Sequence, residues 1–230
     1  MINHRRRDRV IAAGLTLLAG YVDALGFLTL GGYFLSFMSG NSTRLGVGFV
    51  DSLAAAALPL ALIGLFVTGV ILGSLVGRVA RHRRRTAVVA LVAALLALGA
   101  AGQTVGLTWA AIAPMALAMG AENAVFERNG EVSIGLTYMT GTLVKLGQRV
   151  TDALLGGQRW AWCWYLLLWS ALVAGTVIGA FVHHHVGLAG LWPAAIAAAL
   201  LAWTLDRFAA ERPTPSGTVY GPACGSDRHK

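Results

Sequence analysis

Six stretches of this chain, roughly residues 10–31, 56–77, 86–104, 107–126, 160–182 and 188–206, each run long enough and apolar enough to cross a bilayer as a helix. A span needs about 20 predominantly apolar residues, because a helix rises about 1.5 Å per residue through about 30 Å of hydrocarbon. Only 12% of the 230 residues are charged while 57% are hydrophobic, too few charges to cover the surface of a soluble fold of this size. The expectation is an all-α integral membrane protein. Glycines such as Gly64, Gly69, Gly73 and Gly77 are spaced to let its helices approach closely.

The net charge of +8 points to topology rather than to nucleic acid, because the basic residues fall in short clusters between the apolar segments. With the amino terminus cytoplasmic, Arg5, Arg6, Arg7, Arg9, Arg78, Arg81, Arg83, Arg84 and Arg85 lie inside. So do Arg128, Lys145, Arg149, Arg159, Arg207, Arg212, Arg228 and Lys230, which leaves Arg44 as the one external basic residue of eighteen. This count holds only if residues 32–55 and 127–159 each leave and return on one side, so both are expected to be re-entrant or interfacial.

Those two segments carry the polarity. "SFMSGNSTRLG" at 36–46 is echoed by "TYMTGTLVKLG" at 137–147. At an offset of 101, Ser36, Phe37, Met38, Ser39 and Gly40 meet Thr137, Tyr138, Met139, Thr140 and Gly141. Arg44 and Asp51 then meet Lys145 and Asp152, and at an offset of 100 Gly20 and Asp23 meet Gly120 and Asn123. The organisation read from this is a basic cytoplasmic tail at 1–9, membrane repeats at 10–104 and 107–207, and a disordered cytoplasmic tail at 208–230. Three crossings per repeat is an odd number, so the halves enter the membrane from opposite sides, the inverted plan of many transporters.

Backbone that leaves the helix inside a membrane must be buried in protein or line a wet cavity. A substrate site is therefore expected from Ser36, Ser39, Gly40, Asn41 and Thr43 of the first repeat, with Asn123, Thr137, Thr140, Gly141 and Thr142 of the second. Two short helices, about 42–54 and 142–155, are expected to start there, with Ser39, Asn41, Ser42 and Thr43 as helix-start residues. Their positive ends suit an anionic or carbonyl-rich solute. Asp23, Glu122, Arg44 and Lys145 are the candidates for coupling or gating. A plainer reading pairs Asp23 with Arg44 or makes it a hydrogen-bonded cap near the outer surface, and lets Arg44 and Lys145 pair with Asp51 and Asp152 or snorkel to the interface. Glu127 reads as a solvated loop charge.

No metal site or cofactor is expected. His183, His184 and His185 are adjacent and cannot converge on one ion from a helix, and Cys163 and Cys224 have no ligand spacing. Trp160, Trp162, Trp164 and Trp169 read as an interfacial belt. Nothing supports catalysis: no nucleophile elbow or nucleotide-binding loop is present.

The motifs "GYVDALGFLTLGGYFLSFMSGNSTRLG" and "GAENAVFERNGEVSIGLTYMTGTLVKLGQ" resemble those of the YoaK-like family of bacterial membrane proteins, a domain of unknown function, over about residues 10–207. The resemblance implies a bacterial inner-membrane protein of about six spans and supplies no activity. The function read from the residues is a small-solute transporter or facilitator with a midplane site, with proton coupling through Asp23 or Glu122 as an option. A channel narrowed by the two short helices, or a scaffold or sensor without transport, are the alternatives. Its partners are the lipid bilayer, a small-molecule solute and, in a homo-oligomer, further copies of itself.

Overall fold

The computed structural model describes residues 2–128, 131–132 and 135–210, with side chains from Arg7 to Glu127 and from Gly135 to Phe208. The expected disordered tail lies, beyond Ala210, outside the described residues. Eight α-helices are described: α1 (Ile2–Thr29), α2 (Met38–Asp51), α3 (Leu53–Ala80), α4 (Arg84–Gly102), α5 (Thr108–Glu122), α6 (Met139–Leu154), α7 (Cys163–Val186) and α8 (Leu191–Ala210). A two-residue antiparallel pair, Glu127 with Val132 and Arg128 with Glu131, follows α5. It was not anticipated from the sequence.

Four helical runs are long and apolar enough to cross a membrane: Arg7–Thr29, Leu53–Val105, Thr108–Phe126 and Cys163–Phe208. The second folds back at Arg81–Arg83 into α3 and α4, and the fourth at Gly187–Gly190 into α7 and α8. Large apolar side chains such as Val67, Ile71, Val177 and Phe181 face outward. The core, built by Val22, Leu25, Leu96, Ile112, Met115 and Leu191, is apolar as well. Helices greasy on all sides suit a lipid surround.

Helix termini gather at two ends. Arg85 pairs with Asp8 near the start of α1, Arg83 with Asp206 near the end of α8, and Arg84 with Glu127 beyond α5. Arg9 stacks 5.4 Å over Trp164 at the start of α7. Thus α1, α4 and α7 begin at this basic end, while α3, α5 and α8 finish there. At the other end, the Thr29 hydroxyl lies 3.1 Å from Nε2 of His183, which joins the last turns of α1 and α7.

Two helix crossings share one register. A Cβ on Gly20 of α1 would strike the Leu172 carbonyl oxygen of α7, and one on Gly175 or Gly179 would strike the carbonyl oxygens of Leu17 or Tyr21. In the crossing of α5 with α3, Gly120 meets the Phe66 carbonyl, while Gly69 and Gly73 meet those of Leu117 and Ala121. Gly20 and Gly120 stand 100 residues apart, Gly69 and Gly175 stand 106 apart, and every other partner in the two crossings keeps one of these offsets. At these contacts the backbones touch directly, which no residue larger than glycine permits. α2 packs on α3, α6 on α7, and α4 lies along α8.

Candidate functional site

The first polar segment turns back into the protein. Gly31 and Gly32 have φ of +65° and +104°, a left-handed reversal that glycine enters without strain, and the Gly32 N–H donates to the Phe27 carbonyl at 2.8 Å. Oδ1 of Asp23 then accepts from the backbone N–H groups of Leu35 at 2.6 Å and Ser36 at 2.8 Å. Asp23 precedes the end of α1 by six residues, so the chain has returned roughly 9 Å along that helix. Asn41, fully buried, closes a ring with Phe34: its Oδ1 accepts from the Phe34 N–H at 3.1 Å and its Nδ2 donates to the Phe34 carbonyl at 2.6 Å.

The second segment is held in a related way. The Thr137 hydroxyl donates to Oδ1 of Asn123 at 3.1 Å, while Nδ2 of Asn123 donates to the Met119 carbonyl at 3.0 Å. Thr16 of α1 donates to the Leu136 carbonyl at 3.5 Å. The Thr142 hydroxyl turns back onto the Tyr138 carbonyl at 3.1 Å.

Residues 36–39 and 137–141, with Phe66 of α3, line one cavity of about 290 Å³. Phe66 lies near the centre of the 28-residue α3, roughly 20 Å from either end. α2 and α6 both begin at this cavity, with Phe37 and Tyr138 in the N-cap positions and no side chain capping either helix. Their first N–H groups carry the helix's partial positive charge. The lining combines five hydroxyls, from Ser36, Ser39, Thr137, Tyr138 and Thr140, with two methionines, the rings of Phe37, Phe66 and Tyr138 and, among the described residues, no charged side chain.

Of the residues expected to bind substrate, Ser36, Ser39, Thr137, Thr140 and Gly141 line the cavity. Gly40, Asn41, Thr43, Thr142 and Asn123 do not. Asn41, Thr142 and Asn123 brace the lining from behind, and Thr43 donates to the Ser39 carbonyl along the outer face of α2. The short helices start earlier than expected, at Met38 and Met139. Ser42 and Thr43 sit inside α2 and bond to carbonyls four residues back, so they cannot cap it.

The coupling candidates scatter. Asp23 binds backbone N–H groups rather than Arg44, whose guanidinium stacks 4.7 Å over Tyr33. Asp152 pairs with Arg149 at 3.0 Å rather than with Lys145, which is exposed. Glu127 is no solvated loop charge: its Oε2 accepts from Ser74 and pairs with Arg84, and its side chain is only 9% exposed. Glu122 is fully buried, and among the described residues neither of its carboxyl oxygens has a hydrogen-bond partner. Among the described residues no group of three His, Cys, Asp or Glu side chains converges to hold a metal.

Phe37, Met38, Tyr138 and Met139 lie within the two stretches expected to build the site, 36–43 and 137–142, without having been singled out, and Phe66 lies outside them. The first four were in view as matched positions of the repeat; their matching hid the fact that they also face each other. Phe66 carried no signal, since nothing in a uniformly apolar span distinguishes the residue opposite a cavity.

The profile of a family described as protein of unknown function (DUF1275) matches residues 11–204. A UPF0700 transmembrane protein of Rhizobium meliloti (strain 1021) is 36% identical over 200 residues, covering 86% of this chain and 87% of that protein. No solved structure matches. With its apolar helices and this kinship, the chain is a multi-pass membrane protein and belongs to the DUF1275 family.

Proposed function

We propose that this protein is a small-solute transporter or facilitator in which α1, α3, α4, α5, α7 and α8 span the membrane. In this reading the basic end is cytoplasmic, following the bias of Lys and Arg toward that side, and both chain ends lie there. The halves α1–α4 and α5–α8 form inverted repeats. The two glycine crossings of common register support that relation, as does the bracing of equivalent loops by Asp23 and Asn123. Each polar loop re-enters the membrane, and α2 or α6 carries the chain back out.

The observation that carries the proposal is the cavity itself. Polar segments from both halves, more than a hundred residues apart in sequence, face one another across it at the mid-height of α3. Hydroxyls and uncapped helix starts there offer hydrogen-bond donors to a solute's acceptor group. Rocking one half against the other about that point gives alternating access, and Glu122, enclosed and unpartnered, is the residue we assign to proton coupling.

The test is uptake of a solute panel into proteoliposomes by the wild type and by Ser39→Trp, whose ring fills the cavity from an exposed position. Saturable uptake by the wild type and its loss in a well-folded Ser39→Trp variant are expected. Equal uptake by both proteins would remove the cavity from the path.

A further inference from the structure

We infer that the cavity is selective for uncharged solutes with a flat aromatic body and a strong acceptor group, and that Phe37 and Tyr138 impose this selectivity; the inference rests on the transport reading above. The first argument is the lack of a counter-ion. Among the described residues no charged side chain lines the cavity. Arg44 is committed to the face of Tyr33, the Asp23 oxygen Oδ1 to two backbone N–H groups, and Asp152 to Arg149. A charged solute would exchange water for hydroxyls and helix ends alone, and an ion without a full partner is costly in such surroundings.

The second argument is the shape of the walls. Phe37 and Tyr138 are the N-cap residues of α2 and α6 and occupy equivalent places in the two motifs. Each ring is given room by a glycine: a Cβ on Gly40 would press on the Phe37 ring, and one on Gly135 on the Tyr138 ring. Phe34 meets Phe37 edge to face, with centroids 5.2 Å apart, and fixes its orientation. Phe66 adds a third ring, and the flexible thioethers of Met38 and Met139 fill around whatever lies between. An apolar cavity of about 150 Å³ accepts benzene. At about 290 Å³, and open on the side where Phe37 and Tyr138 are 38% and 57% exposed, this one has room for one ring with substituents. With the Thr137 hydroxyl donated to Asn123 and the Ser36 side chain bonded to Asp23, the hydroxyls of Ser39 and Thr140 address the acceptor of such a molecule.

The experiment uses three probes with purified protein in detergent and in proteoliposomes: nicotinamide (flat and neutral), nicotinate (the same ring, anionic) and acetamide (the amide without a ring). Binding is read from the thermal stabilisation of the protein as each probe is titrated. Nicotinamide is expected to bind at least tenfold more tightly than either of the others. Tyr138→Leu and Phe37→Leu should each weaken nicotinamide binding at least fivefold, and Tyr138→Phe, which keeps the ring, should not. Absence of nicotinamide binding, a preference for nicotinate, or unchanged affinity in Tyr138→Leu would overturn the inference. Uptake separates it from the reading on which it rests. Binding of nicotinamide without any solute uptake sinks transport and leaves the selectivity standing, whereas uptake confined to nicotinate sinks the selectivity and leaves transport standing.

Discussion

Replacing Asp23 separates two roles that its place in α1 leaves entangled. As a relay group it would act through its carboxyl proton; as a brace it acts through one oxygen, which accepts the Leu35 and Ser36 N–H groups at 2.6 and 2.8 Å. Asn keeps a carbonyl oxygen at that position and removes the acid. Ala removes both, and Leu35 and Ser36 are buried, so their N–H groups would lose their acceptor without gaining water. At about 1–2 kcal/mol for each unmet donor, Asp23→Ala should cost about 2–4 kcal/mol, while Asp23→Asn should cost less than about 1 kcal/mol. For a chain of this size, about 1 kcal/mol shifts Tm by roughly 2–4 °C. Thermal unfolding in detergent should therefore fall by roughly 5–15 °C for Ala and by no more than a few degrees for Asn, with solute uptake retained in Asp23→Asn. Equal falls for the two variants would show that the acid, not the acceptor, holds the loop. No fall in either would show that the loop is held from elsewhere.

Three further outcomes are expected. Gly120→Val should abolish recovery of folded protein, because its side chain meets the Phe66 backbone, whereas Gly64→Ala, which points into open space, should be recovered at wild-type yield; size-exclusion chromatography of detergent extracts checks both. Arg84→Met leaves a nearly buried Glu127 with only Ser74 as a partner and should cost about 3 kcal/mol. Part of that loss should return in Arg84→Met/Glu127→Gln, which still leaves the Ala124 carbonyl without the Arg84 Nε donor, read as paired unfolding midpoints. Glu122→Met removes a carboxyl that has no partner and fills its volume with apolar atoms, so it should raise the unfolding midpoint; a lower midpoint would reveal a partner for Glu122.

Much of the frame was legible because a bilayer imposes a coarse and regular demand. The six apolar segments fall on α1, α3, α4, α5, α7 and α8, since a 20-residue apolar run has few folds open to it. The basic clusters foretold which helix ends would meet, as Arg83, Arg84 and Arg85 show by reaching α8, the segment after α5, and α1. Side-chain partners were far less legible. For Asp23 the sequence left a cation and a hydrogen-bonded cap both open, and its oxygen takes backbone amides twelve and thirteen residues ahead, a contact set by the Gly31–Gly32 reversal rather than by charge. Ser42 and Thr43 have the chemistry of caps, yet the same hydroxyls bond equally well to carbonyls inside a helix. Composition does not say which. The partner of Glu127 depends on how far α3 and α4 fold back at Arg81, whose φ of +44° no sequence rule specified.

The comparison of the two halves also indicates where selection has acted for something other than packing. Where packing decides, the halves agree: Gly20 with Gly120, and Gly69 and Gly73 with Gly175 and Gly179, each serve a backbone contact of the same kind. Where bracing decides, the task is kept while the chemistry drifts, so that Asp23 accepts from two amides and Asn123 from a hydroxyl. Glu122 fits neither pattern. Its counterpart is Val22, also fully buried, so this place in the frame is satisfied by an apolar side chain. An acid with no hydrogen-bond partner adds nothing to the packing that valine provides, and its burial is costly in a membrane interior. That mismatch between a buried acid and an apolar counterpart is what supports the assignment of Glu122 to proton coupling in the proposed transport reading. The acid lies beside Asn123, which holds the cavity wall through Thr137, so a change at Glu122 has a path of two neighbouring residues and one hydrogen bond to the site where the solute is proposed to bind.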